Sequence, residues 1–347
     1  MGLYFAQSCI QEKRNKMKDE SSDELKGVIH FSEESENVLV TGGTGFVGQQ
    51  LIQALLANGQ RVTLLSRDVK RAARLFDGKV HCISSMSELP AHYPIDVIIN
   101  LAGARILGWR WTRARQTVLR RSRVDVTQSL LAWIQQAVVK PRLLLSASAI
   151  GYYGIQQVGD TRSLNEASLP QNIFMSQLCQ EWEAAASAAS AHGVLVRRMR
   201  FGLILGQQGA LPMMLLPIKL GLGGALGRGT QSLSWIHIHD VLAAIAYLWQ
   251  LSKQSHTKMA QDEAINFTAP HCVSQQEFSQ IAAKQLHRPH FFPTPAWPMR
   301  LMLGEQADLL LEGQRVEPQR LFALGFKFNY PQLESALEDL MKQKTKK

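Results

Sequence analysis

The sequence predicts an α/β protein built on a doubly wound parallel sheet. Short β-branched runs alternate with helical patterns, a glycine-rich turn joins the first such pair, and the cysteines offer no competing disulfide or metal framework. The alternation runs through Val38 to Thr41, Val47 to Leu56, Arg61 to Ser66 and Lys70 to Phe76. It continues with Val80 to Ile83, Asp96 to Leu101, a helical stretch from Thr112 to Gln136, and the apolar run Leu143 to Ser146. Strands separated by helices are joined by crossovers, which makes them parallel. Asn58-Gly59 closes the first helix with a residue able to turn left-handed, and Pro141 stands just before the fifth strand.

A chain of 347 residues can bury one large core or two modest ones. Residues 1–36 mix Lys, Glu, Asp and Ser without an apolar period, so they are expected to form a mobile extension, with the fold starting at Asn37. Residues 37–292 are expected to form the main domain, its Gly/Pro/Leu-rich part at 206–239 closing a substrate cleft. Residues 293–347 are expected to form a small, mostly helical C-terminal domain. Cys9, Cys82, Cys179 and Cys272 lie far apart, which points to a reducing, cytoplasmic compartment. No apolar run approaches the roughly 20 residues that cross a bilayer, so no membrane partner is expected. The formal charge of +10 suits an anionic ligand, nucleic acid or an acidic surface alike.

The turn Gly42-Gly43-Thr44-Gly45-Phe46-Val47-Gly48 follows the first strand and opens a helix bearing Val47, Leu51 and Leu55. Such a turn needs one glycine to reverse tightly, one to bring backbone N–H groups to a pyrophosphate, and one to pack helix on strand. Gly42, Gly45 and Gly48 fill those places, so the sequence predicts a Rossmann-type dinucleotide site. An acidic residue ending the second strand would select NAD(H), whereas a basic one accommodates a 2′-phosphate. Here Ser66 and Arg67 stand at that end, with Asp68 one place later, so NADP(H) is favoured over NAD(H).

Further segments carry a family likeness. The glycine turn, Asn100-Leu101-Ala102-Gly103 after the fourth strand, and Ser146-Ala147-Ser148 leading to Tyr152-Tyr153-Gly154 resemble the extended short-chain dehydrogenase/reductase superfamily. Arg110-Trp111-Thr112, Trp182-Glu183, Gly221-Leu222-Gly223-Gly224, Trp235-Ile236-His237-Ile238 and Gly313-Gln314-Arg315 resemble one atypical branch of it. These are the NAD-dependent epimerase-family proteins also labelled cell-division-inhibitor homologues, which end in a domain of unknown function. The resemblance implies bound NADP(H) and adds Ser146 and Arg200 to the residues expected around the cofactor.

Members of that superfamily pair a serine with a tyrosine that exchanges a proton and a lysine four residues later that lowers its pKa. Ser148 matches the serine, but Phe174 and Leu178 occupy the Tyr-x-x-x-Lys places, and no lysine occurs between Lys140 and Lys219. Three readings stay open. Tyr152 or Tyr153 donates the proton beside an arginine; the substrate needs little proton transfer; or the chain is a catalytically silent NADP(H)-binding regulatory module. The leading one is an oxidoreductase or epimerase-like enzyme on a small anionic molecule. Arg105 and Arg113, in an arginine-rich stretch with Trp109 and Trp111, are the expected substrate contacts, while Arg115, Arg120 and Arg121 suit a solvated helix face. Without a recognition motif that stretch does not make a nucleic-acid surface. His237-Ile238-His239-Asp240 lacks a third ligand cluster for a metal, and Asp240 is expected to cap the following helix.

Overall fold

The computed structural model describes residues 29–342, apart from 107, 109, 158, 255–259, 294, 295, 298–300, 302 and 303, and apart from the side chains of 305, 306, 309 and 310. The expectations for residues 1–28 and for Trp109 lie outside the described residues. The strands in chain order are β1 (Asn37–Thr41), β2 (Arg61–Leu65), β3 (His81–Ile83), β4 (Val97–Asn100), β5 (Leu143–Ala149), β6 (Leu195–Phe201), β7 (Leu203–Leu205), β8 (Ser232–Leu233), β9 (Trp235–His237), β10 (Asp262–Phe267), β11 (Val273–Ser274) and β12 (Gly313–Gln314). The principal helices are α1 (Phe46–Ala57), α2 (Val69–Leu75), α3 (Arg113–Arg121), α4 (Val124–Gln136), α5 (Phe174–Ser187), α6 (Leu211–Lys219), α7 (Ile238–Leu251) and α8 (Gln275–Gln285). The chain closes with short helices and a final helix, Leu333–Lys342.

Seven strands form one sheet in the order β10-β6-β5-β4-β1-β2-β3, and every pairing in it is parallel. Alternation along the strands divides the core between two faces. Val38, Val40, Val62, Leu64, Ile99 and Leu145 pack with α1, α7, α8 and the final helix. Leu39, Ile98, Leu144 and Val196 pack with α4 and the end of α5. Three layers result, as expected, and the sheet places the C-terminal ends of β1, β4 and β5 side by side, Thr41 beside Asn100 and Asn100 beside Ser146.

The structure corrects three expectations. The fold begins before Asn37: Phe31 is fully buried, its ring 5.6 Å from that of Trp249, and Glu36 pairs with Arg142 and Lys253. One aromatic residue in a polar stretch has no periodicity to reveal it. The stretch from Thr112 to Gln136 is two helices rather than one, because Arg123 turns back to donate to the Leu119 and Ala104 carbonyls at 3.1 and 3.0 Å. Asp240 does not cap α7: the imidazole of His237 does, accepting from the His239 N–H, while Asp240 accepts from the backbone of Asn329 and Tyr330.

The C-terminal segment is stitched to the main body. Gly313–Gln314 pairs with β8, and Leu333, Ala336, Leu337 and Leu340 enter the same core as β1.

Candidate functional site

The glycine turn has the geometry its sequence implies. Gly42 has φ +69°, a region an L side chain rarely enters, and a Cβ there would collide with the Leu101 carbonyl. A Cβ on Gly48 would collide with the Gly42 carbonyl, so helix and turn meet only through a bare backbone. Gly45 caps α1 without a side-chain acceptor, and the first turn contains no acidic residue. The first N–H groups and the positive end of the 12-residue helix are thus left to an anion. Gln49 holds the turn by donating to the Thr44 carbonyl at 2.8 Å, and Phe46 is roofed by Gly206 and Gly209 of the 206–239 segment. Val47 packs partly buried against the core.

At the end of β2, Asp68 is occupied as the cap of α2, accepting from the Arg71 N–H at 2.9 Å. Ser66 braces the same corner through the Asp68 N–H at 3.3 Å. Arg67 is exposed at that corner. Beneath the neighbouring turn, Asn100 is fully buried. Its carbonyl oxygen accepts from the Thr41 hydroxyl at 2.6 Å, and its amide donates to Thr127 and to Ser146, itself fully buried. Asn100 and Ser146 therefore tie β1, β4 and β5 together as a floor, above which Leu101, Ala102 and the exposed Gly103 form the open edge.

Ser148, Tyr152 and Tyr153 meet in a buried charge cluster. Glu183, on the apolar face of α5, accepts the Ser148 hydroxyl at 2.6 Å, two bonds from Arg200 at 2.7 and 2.8 Å, and one from Arg198 at 2.9 Å. Arg200 is 2% exposed. It lies inside the fold, its register opposite Ser148 and its guanidinium on Glu183. Burial opposes its charge, but the hydrogen bonds and charge of Glu183 outweigh this and hold the guanidinium above its ordinary pKa. The guanidinium covers the Tyr152 ring at 3.5 Å and donates to the Tyr153 hydroxyl at 3.0 Å. Tyr153 in turn donates to Asn266 at 2.7 Å, and burial pushes its phenol up to about 12. Tyr152 is only partly buried, and its hydroxyl meets no hydrogen-bonding partner among the described residues. Glu166 accepts from the Asn266 and Arg320 N–H groups, and burial raises its pKa.

Phe174 and Leu178 lie in the first turns of α5, apolar and packed with Trp111 and Met175. Arg105 and Arg113 are both exposed, and the Arg105 carbonyl is held by Arg115. Arg120 is taken up by Glu181, with bonds of 2.5 and 2.9 Å. Arg123 is buried over Trp182, and burial brings its pKa down to about 10. A separate cleft of about 240 Å³ between α6 and the final helix is walled by Leu211, Leu215, Leu286 and Leu340, with Lys219 as its one charged side chain.

Sequence reasoning gave no site role to Glu183, although it quoted that residue for the family likeness, nor to Arg198, Glu166 or Asn266. A signal for Glu183 existed, since it shares a helical stripe with Cys179 and Ala186, where a carboxylate needs a buried counter-charge.

The model of the NAD dependent epimerase/dehydratase family matches residues 38–260. The chain belongs to that family. Residues 294–340 of this epimerase-family chain match a domain of unknown function. It is 36% identical over 306 residues to the epimerase family protein YfhF of Bacillus subtilis, spanning 88% of this chain and 98% of that relative. To the epimerase family protein SH2119 of Staphylococcus haemolyticus it is 38% identical over 309 residues, spanning 87% and 98%. Among solved structures it is similar to the human epimerase family protein SDR39U1 with NADPH. There the TM-score is 0.76 and the identity 32%, covering 88% of this chain and 99% of that one. A UDP-galactose 4-epimerase at 17% identity and TM-score 0.67 shares the fold.

Proposed function

We propose that the chain is an NADP(H)-dependent oxidoreductase or epimerase-like enzyme acting on a small anionic substrate. The observation that carries the cofactor half is the glycine turn itself, close-packed on bare backbone at Gly42 and Gly48 and leaving the first N–H groups of α1 with no side-chain cap. The exposed Arg67, beside an Asp68 already used as a cap, favours a 2′-phosphate. The similar human protein crystallised with NADPH supports the same cofactor.

When bound, NADPH supplies a hydride. Backbone N–H groups of the turn, apart from that of Gly45, which donates to the Gly42 carbonyl, would hold its pyrophosphate, Arg67 and Ser66 would hold its 2′-phosphate, and Leu101, Ala102 and Gly103 would line the edge it lies along. Tyr152 is the proton-exchanging group, because the alternatives are engaged: Tyr153 donates to Asn266, and Ser148 donates to Glu183. Arg200 fixes the Tyr152 ring. Arg105 or Arg113 receives the anionic end of the substrate.

Calorimetry with NADPH and NADH tests the cofactor half. Arg67→Ala is expected to weaken NADPH about 10- to 100-fold, the worth of a charged hydrogen bond, with NADH unchanged. Tyr152→Phe is expected to cut NADPH-driven reduction of carbonyl acids by about 10² to 10⁴ without changing cofactor affinity. Phe174 and Leu178 favour a second reading, a silent NADP(H)-binding regulatory module, which predicts tight NADPH binding and no turnover of any carbonyl acid offered.

A further inference from the structure

Helix α6 is apolar on both sides. Leu211, Leu215 and Ile218 are buried, while Met213, Leu216 and Leu220 on the opposite side are 73%, 55% and 67% exposed. A surface helix ordinarily turns charged residues outward, so its outer face lacks a partner among the described residues. The face does not end there. The Phe292 N–H donates to the Gly223 carbonyl at 3.0 Å, and Gly227 lies against Ala296, joining the turn after α6 to the segment that carries Phe291, Phe292 and Trp297. Those three rings are 68%, 49% and 68% exposed.

The segments that carry this face hold charge of one sign. Residues 206–239 and 278–304 contain no Asp or Glu, whereas Arg228, Lys284 and Arg288 are exposed bases within them. We propose that this face docks on an anionic phospholipid surface, with the α6 leucines and Trp297 entering the headgroup boundary and the bases meeting phosphate. A second copy of the chain would set basic rim against basic rim, which disfavours it. A specific protein partner is ordinarily matched by about one hydrogen bond per 100–200 Å², and the outward α6 side chains offer none. A lipid boundary asks for apolar side chains, aromatic rings and cations, and this face supplies those three. Attachment would be peripheral, since no described helix is long and apolar enough to cross a membrane.

The test is flotation of the full chain with phosphatidylcholine vesicles made with and without phosphatidylglycerol. Binding is expected only with phosphatidylglycerol. In the triple variant Leu216→Ser, Leu220→Ser, Trp297→Ser it is expected to fall on the order of a hundredfold, each lost side chain removing buried apolar area. Melting temperature and NADPH affinity, read on the same variant, are expected to stay at the parent values. A blue shift of parent fluorescence on phosphatidylglycerol vesicles, absent in Trp297→Phe, reports the same insertion with a milder change. The proposal is overturned by failure to float on either vesicle, or by equal flotation of the triple variant, which would assign binding to charge alone. It is also overturned if the parent sediments as a dimer and the triple variant as a monomer, which would give the face to a second copy. None of these outcomes depends on whether the chain turns over a substrate.

Discussion

Glu183 shows how much of the site rests on one side chain. Its two oxygens accept from Ser148, Arg198 and Arg200, and Arg200 in turn fixes the Tyr152 ring and binds Tyr153. Taking charge out of water costs several kcal/mol per ion, and the arrangement survives because each charge is matched. Glu183→Gln keeps the volume but replaces an acceptor-only group by a half-donor amide, leaving Arg200 against one neutral oxygen while Arg198 keeps its bond to Asp262 at 2.8 Å. It is expected to destabilise the protein by about 3–5 kcal/mol in urea unfolding, because a buried charge is left uncompensated. A loss under about 1 kcal/mol would mean that water already serves Arg200 in place of Glu183. The same cluster separates the two tyrosines, which the sequence left equivalent: Tyr153 is held at both ends of its hydroxyl, and Tyr152 is held only by its ring face.

Among the elements, the turn between β1 and α1 is where chemistry and packing share the same atoms. Gly48→Ala would drive a methyl group into the Gly42 carbonyl, and neither flanking element can retreat, since Leu51, Ile52 and Leu55 seat α1 in the core. The expected result is a loss of about 1–3 kcal/mol of stability by overpacking and a fall in NADPH affinity, read by thermal melting and calorimetry on one sample. Unchanged affinity would place the pyrophosphate elsewhere. This turn was legible in the sequence because its requirement is local: only glycine meets it, and strand and helix patterns flank it. The parallel sheet was legible for a similar reason, through alternation. What escaped was set by contacts distant in sequence. The break between α3 and α4 has no glycine or proline. It follows from Ser122 and Arg123 binding Ala104, a loop residue that no helical pattern foretells. Asp240 looks like a cap in sequence, but residues 329 and 330, some ninety places away, claim its carboxylate.

Over the whole molecule, both ends of the described chain are drawn into a single core. The final helix packs with β1, and the segment before β1 crosses the foot of the sheet to reach α7 through Phe31 and Trp249. Glu36 anchors that crossing. Its carboxylate takes Lys253, just beyond the end of α7, and Arg142, just before β5, and it accepts the Ser32 hydroxyl at 2.9 Å. Burial alone would raise its pKa, but the bonds from Lys253 and Arg142 prevail and hold it below the ordinary value of 4.5. A carboxyl with a depressed folded pKa contributes stability that is present above the unfolded pKa and lost as pH falls through the folded one. Because Arg142 and Lys253 are about one-third exposed, solvent screens the pairs, and Glu36→Gln is expected to cost about 1–3 kcal/mol at neutral pH. Urea unfolding of parent and variant from neutral pH downward should show a constant gap until the pH nears 4.5, then a gap that closes as the parent carboxyl takes up its proton. Parallel curves through that range would mean that Glu36 acts by shape alone and that the N-terminal crossing is held by Phe31.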